Sequence, residues 1–396
     1  MSLKKDNPNN LFQSRLMGID QKHLDKDDVK KLLSDYRNEV QPFYDMVDAF
    51  NMMFGDMLYE QTLGIKRHTK IVLAPKLSFN LMAKTGFRNL IELNIGVLPL
   101  VKALVVNVAK LDFVCNEIPF DKHFDQEEVL DDIADVFNAA YYMIDSYDMN
   151  DEHISELLDE TDLGARQELS YSLFKKTLYF LILHEHAHIL CRHASHINKK
   201  NDFVEFQMST EPSDVTPSFK KKKHWAELEA DHFGADLLVE ILRVFNFSPE
   251  KQEVRTLMEG EEKELRQIFL AIGLLFLLFS YRPDEETSIA IYRQYNHPHP
   301  CVRMVNVLDV LSNYISTMFS IDIESICNTL SEALSVLITI GNAVGVKEFE
   351  IIQTSLDDIQ KEISDLQNNI GQSWIKRTGR ILVKAIIAIR KDIPLV

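Results

Sequence analysis

Three residues in one stretch have the types and spacing to hold a metal ion and move a proton. Leu181 to Leu190 reads Leu-Ile-Leu-His-Glu-His-Ala-His-Ile-Leu and contains His-Glu-x-x-His: His184, Glu185 and His188. No Gly or Pro falls between Ser170 and Ser195, so the spacing predicts a helix. On a helix, positions i and i+4 share a face, with side-chain bases roughly 5–6 Å apart. Two imidazoles so placed can grip one Zn²⁺ at about 2.0–2.1 Å per bond. Glu185 flanks the same face and can reach a zinc-bound water as its general base. That arrangement suits metal-assisted amide hydrolysis.

A two-histidine site needs a third ligand and an open fourth position. The segment His224-Trp-Ala-Glu-Leu-Glu-Ala-Asp-His-Phe-Gly-Ala offers one. Glu227 can supply a carboxylate oxygen. Asp231, one turn later on the same face, is placed to accept the outer N–H of a ligating histidine and fix its orientation.

The elements that must position these residues are mostly helices. Gly (13) and Pro (12) are scarce in 396 residues, and apolar residues make up 46%, enough for a sizeable core. The motif helix is expected from about 165 to 194. The next is expected from His224 to Val244, after a polar loop ending in Lys220 to Lys223. A helix opening at Ser248-Pro249 holds the apolar run Ile268 to Phe279, which is too short for a membrane span and suits a central core helix. Further helices are expected over 26–59, 96–110, from Asp125 to about Tyr147, and near 300–316 and 320–343. The one β region is 70–94, with strands at Lys70–Ala74, Leu77–Ala83 and Asn89–Asn94.

From Ile352 the chain changes character. Ile352, Leu356, Ile359, Ile363, Leu366 and Ile370 step by 4 and 3, a heptad stripe. A basic amphipathic helix, Lys376 to Lys391, is expected to fold back on it after Gly371, with self-association through the 352–370 segment as the second choice. The expected fold is therefore mostly α (α+β). Residues 1–25 are a poorly ordered N-terminus, 26–345 hold the metal-binding domain with its small sheet, and 346–396 form a C-terminal helical hairpin.

The formal charge of −17 argues against nucleic acid and anionic membranes as partners. The four cysteines form no CxxC pair, and the N-terminus lacks an apolar signal segment, so a soluble cytoplasmic protein is expected.

His-Glu-x-x-His followed by Glu227-x-x-Ala230-Asp231 resembles the gluzincin zinc metallopeptidases. The likeness is nearest to the HtpX and CAAX prenyl endopeptidase group and to the soluble Lit-type phage-exclusion peptidases. Asn80-x-x-Ala83 with Leu90 to Leu98 is similar to the edge-strand segment before their motif helix. His297-Pro298 with Arg303 is similar to their His-Pro-x-x-x-x-Arg segment. The resemblance covers about 70 to 305, without the membrane helices of the first group. It implies a zincin-like helical domain binding Zn²⁺ and cleaving a protein or peptide substrate. Glu227 is preferred over Glu229 as ligand, because only it has the four-residue spacing to Asp231. His297 or Arg303 would serve the oxyanion, unless Arg303 simply pairs with an acid such as Asp231. Leu90, Ile91, Glu92, Leu93 and Asn94 would receive an extended peptide by strand addition. Metzincins are excluded, because Cys191 stands where their pattern requires Gly.

Other residues carry plainer readings. His186 is read as packing or supporting the site, His193 and His196 as solvated helix-end histidines, and Cys191 as a buried, inert thiol. The competing function is a catalytically silent, peptidase-like helical scaffold acting through protein–protein interaction. The complete set of ligands and base argues against it.

Overall fold

The computed structural model describes residues 69–74, 81–84, 89–94, 96–115, 118, 124–145, 162–193, 202–204, 217–246, 253–281, 288–293, 297–346, 356–368, 380–383 and 386. The expected helices over 26–59 and the N-terminal segment lie outside these residues. So does nearly all of the helix expected over 376–391.

The fold is mostly helical with one small mixed sheet. Strands β1 (Thr69–Ala74), β2 (Leu81–Lys84) and β3 (Asn89–Asn94) come first. Helices α1 (Val97–Lys110) and α2 (Gln126–Asp145) follow. Asp125 caps α2 through Oδ1, 3.0 Å from the Glu127 amide. A 3₁₀ turn, Gly164–Arg166, leads into α3 (Gln167–Leu190). Then come β4 (Asp202–Val204), α4 (Pro217–Leu242), α5 (Glu259–Ser280), the short α6 (Ile289–Tyr292), α7 (Pro300–Phe319), α8 (Ile323–Ala343) and α9 (Leu356–Asn368).

The sheet order is β1-β3-β2-β4. β3 pairs parallel with β1 and antiparallel with β2. This corrects the expectation for Leu90, Ile91, Glu92, Leu93 and Asn94. Those residues lie in an interior strand. All five pair with Lys70 to Ala74, and the first four also pair with Lys84 to Leu81. Their backbone groups are already used, so an added peptide strand has no free edge there. Leu77 to Asn80, read as part of the second strand, fall outside the described residues.

Helix α3 is the hub. It packs on α1, α4 and α5 and on strands β2 and β3. Every residue from Phe180 to Cys191 is buried. A helix buried on all sides is apolar all round, and over that stretch α3 is, except where its histidines and Glu185 stand. Its start is held by Arg166, whose guanidinium donates to the Lys110 carbonyl (2.9 Å) and to Asp112 Oδ1 (2.8 Å).

Two helix starts differ from expectation. α4 begins at Pro217, so Lys220 to Lys223 form its early turns and not a loop. Lysine is a good helix former, and Pro suits a first position. α5 begins at Glu259, whereas Ser248-Pro249 lies outside the described residues. Glu261 sets the start: it accepts from the Met258 amide (3.1 Å) and takes two bonds from Arg255 (2.6 and 2.7 Å). Arg255 itself is held in extended backbone by bonds to Ser320 and Asp322. The apolar run of α5 is wholly buried, as expected.

α8 is the one helix among the described residues long and apolar enough to cross a membrane, and 33% of its most apolar window is buried. It packs on α5, with Ile326, Ala333, Leu337 and Ile340 on its buried side. Glu324, Asn328, Ser331, Glu332 and Ser335 are exposed, which gives an amphipathic helix.

α9 docks against α4 and α7. Ile359 and Leu366 of the heptad stripe are buried in the common core, and Arg293 pairs with Glu362 at 2.6 Å. The described partners of this helix are thus in the main helical body.

Candidate metal centre

The site forms where α3 crosses α4. The crossing is close because Gly234 faces the α3 backbone: a Cβ there would stand 3.1 Å from the His184 nitrogen and 3.3 Å from its Cα. α3 contributes His184, Glu185 and His188, and α4 contributes Glu227 and Asp231, all buried. The segment leading into α7 adds His297, and the first turn of α7 adds Arg303. Pro300 at its first position and the His299 Nδ1 acceptor, 3.1 Å from the Cys301 amide, fix where that helix begins.

His184, His188 and Glu227 each present one donor atom within 4.8 Å of the others, a grouping able to hold a metal ion. His184 Nε2 and His188 Nε2 stand 3.0 Å apart. Glu227 Oε2 lies 3.5 Å from His184 Nε2, and Glu227 Oε1 lies 3.7 Å from His188 Nε2. Both Glu227 oxygens are buried and accept no hydrogen bond among the described residues. Their other nitrogen neighbours, His297 Nδ1 (3.5 Å) and Arg303 (3.6 Å), stand too far off for good ones. A buried carboxylate in that state is costly. A cation in the triangle would offset the cost.

Charge favours the same arrangement. Burial opposes ionisation of Glu227, but His297 and His188 beside it, with His184, hold its carboxyl well below the usual carboxylate range. Burial holds His188 well below the ordinary imidazole value against the pull of Glu227, with His184, His193 and Arg303 assisting. An ionised carboxylate and a neutral imidazole are the states in which such groups ligate a metal.

Behind the triangle, Asp231 Oδ1 stands 2.8 Å from His184 Nδ1, the support expected from its spacing. Arg303 grips Asp231 with Nε and a terminal nitrogen, both at 2.8 Å, and its guanidinium lies 5.3 Å over the Phe276 ring. The pairing reading of Arg303 is thus realised. Those two bonds run to Asp231 behind the triangle, and a terminal nitrogen of Arg303 also stands 3.6 Å from Glu227 Oε2. His297 is the partly exposed member, with 14% of its side chain accessible beside Glu227.

One histidine sits differently from its sequence reading. His193 is fully buried, not solvated. Its position follows from Arg192, whose φ of 57° turns the chain back just past the end of α3. His186 is buried and pushed down to about 3 by burial, and His299 to about 4 by the same cause, so both are neutral core groups. Cys191 is buried as expected, but it stands with His193 and Glu229 in a second group close enough to hold a metal. Sequence spacing did not single out that group. The signal for Gly234 was available: an isolated glycine inside a helical pattern commonly marks close packing.

Set against known proteins, the chain matches no family model, no curated protein and no solved structure. The reading of the site rests on its own residues.

Proposed function

We propose that this protein is a soluble zinc-dependent endopeptidase of the gluzincin kind, acting on a protein or peptide substrate. The observation that carries the reading is the His184–His188–Glu227 triangle. Ligands about 2.0–2.1 Å from a tetrahedral ion lie roughly 3.3 Å from one another. The separations of 3.0, 3.5 and 3.7 Å bracket that value. Two histidines and one glutamate are also a donor set used for catalytic zinc, which keeps a fourth position open.

Zinc bound there would supply Lewis acidity toward a water and toward the scissile carbonyl. Glu185, next to His184 on α3, would take the proton from the water and return it to the leaving amine. His297, partly exposed beside Glu227, would donate to the developing oxyanion. Asp231 holds His184 in its ligating orientation, and Arg303 holds Asp231. The four cysteines are free thiols, which supports a reducing, cytoplasmic setting.

The test is cleavage of a proteome-derived peptide mixture, with new termini scored by mass spectrometry. The wild-type chain should produce cleavages that a chelator abolishes. Glu185→Gln should keep its metal and produce none, since an amide cannot accept the water's proton. Equal cleavage by Glu185→Gln would remove Glu185 as base, and no cleavage by wild type would favour the scaffold reading.

A further inference from the structure

His193 Nδ1 lies 2.8 Å from His188 Nδ1, with the two rings 4.9 Å apart and nearly perpendicular. On its other side, His193 Nε2 lies 2.8 Å from Glu229 Oε2. All three residues are buried. Cys191 completes a Cys191–His193–Glu229 group whose donor atoms are close enough to share an ion. The same atoms therefore offer two roles: a second metal site, or a support for His188.

Counting protons decides between them. Each neutral imidazole carries one N–H. His188 turns Nε2 toward His184 and Glu227, so ligation there leaves its proton on Nδ1. That N–H donates to His193 Nδ1. His193 must then hold its own proton on Nε2, where it donates to Glu229 Oε2. A protonated nitrogen has no lone pair for a metal. Filling the first site thus closes the second. Conversely, a metal on His193 Nε2 would put the His193 proton on Nδ1. His188 would become the acceptor there, with its proton moved to Nε2, and the first triangle would lose a ligand.

We infer that Glu229 and His193 form a hydrogen-bonded chain that fixes the tautomer and orientation of His188, and that Cys191 is no metal ligand. The pattern parallels Asp231 behind His184, with one extra imidazole spanning the gap. The backbone supports the assignment. Arg192 occupies the left-handed region without being glycine, a conformation that L residues rarely hold unless their surroundings impose it. That residue is the turn that brings His193 back onto His188. Glu229 and His193 are positioning residues, and the inference rests on metal binding at His184, His188 and Glu227, not on peptidase activity.

The test uses the full chain and zinc alone, by chelator competition. His193→Ala and Glu229→Ala should each weaken zinc binding about 10- to 100-fold while still binding one ion at saturation. Glu229→Gln keeps an acceptor oxygen and should recover part of the loss. Cys191→Ala should bind zinc as the wild type does, and the cobalt-substituted protein should show no thiolate-to-metal charge-transfer band. Unfolding of the chelated variants reports any general loss of folding. Unchanged affinity in both alanine variants would overturn the chain while leaving the metal site standing. So would a loss of affinity that follows loss of folding with no rescue by Glu229→Gln. A second zinc lost in Cys191→Ala, or a thiolate band, would overturn the assignment in favour of a second site. A wild-type chain that binds no zinc would overturn the metal reading itself.

Discussion

Asp231 joins two jobs that can be separated experimentally. It supports His184 at 2.8 Å and neutralises the buried Arg303 through two bonds. Removing one partner of a buried pair strands the other charge, at roughly 3–5 kcal/mol. Asp231→Ala should therefore lower the unfolding free energy of the chelated protein by about that amount in urea, and should weaken zinc binding as well. Adding Arg303→Met should restore most of the stability but not the zinc affinity. If the double variant recovers both, Asp231 acts only as a counter-charge. The His184–His188–Glu227 grouping and Asp231 were legible in the sequence because i, i+4 spacing on two helices defines a face. His193 and Glu229 were not. Their roles depend on a left-handed turn at Arg192 and on a contact across 36 positions of sequence, neither of which leaves a periodic signal.

Where α3 and α4 cross, the sequence could supply each helix but not the distance between them. Gly234 sets it. The atoms that an added methyl would meet belong to the His184 backbone, which cannot rotate aside. Gly234→Ala should push the helices apart by a few tenths of an ångström. The expected cost is about 1–3 kcal/mol of stability, with weaker zinc binding, read by urea unfolding and chelator competition. Alanine is the better helix former, so a more stable variant with unchanged affinity would show that the crossing has slack. The helices were legible from their composition and caps. The sheet was legible only as a set of strands. Strand order is a non-local property: β3 is interior because β1 pairs parallel along its other side, which no local pattern announces. Likewise the start of α5 is set by Arg255, Glu261 and Asp322 together, whereas Ser248-Pro249 offered a stronger local signal.

Across the whole molecule, α9 joins the body that carries the candidate metal centre. Its heptad stripe predicted a helical partner. The partners described are α4, which bears Glu227, and α7, which bears Arg303. Ile359 and Leu366 occupy that interface, so self-association through the same positions would require undocking. Each fully buried Ile or Leu contributes about 1.5–3 kcal/mol. Truncation after Gly345 should then lower stability by at least roughly 3–6 kcal/mol from these two side chains and expose apolar surface on α4 and α7. A truncated chain as stable as the full one, with equal zinc, would make 346–396 an independent appendage after all. The central claim concerns the metal itself. The most direct measurement is the metal content of the purified full chain beside that of Glu227→Ala. The account predicts about one zinc per wild-type chain and little in the variant. A wild-type chain without zinc, or a variant that retains it in full, would contradict the account.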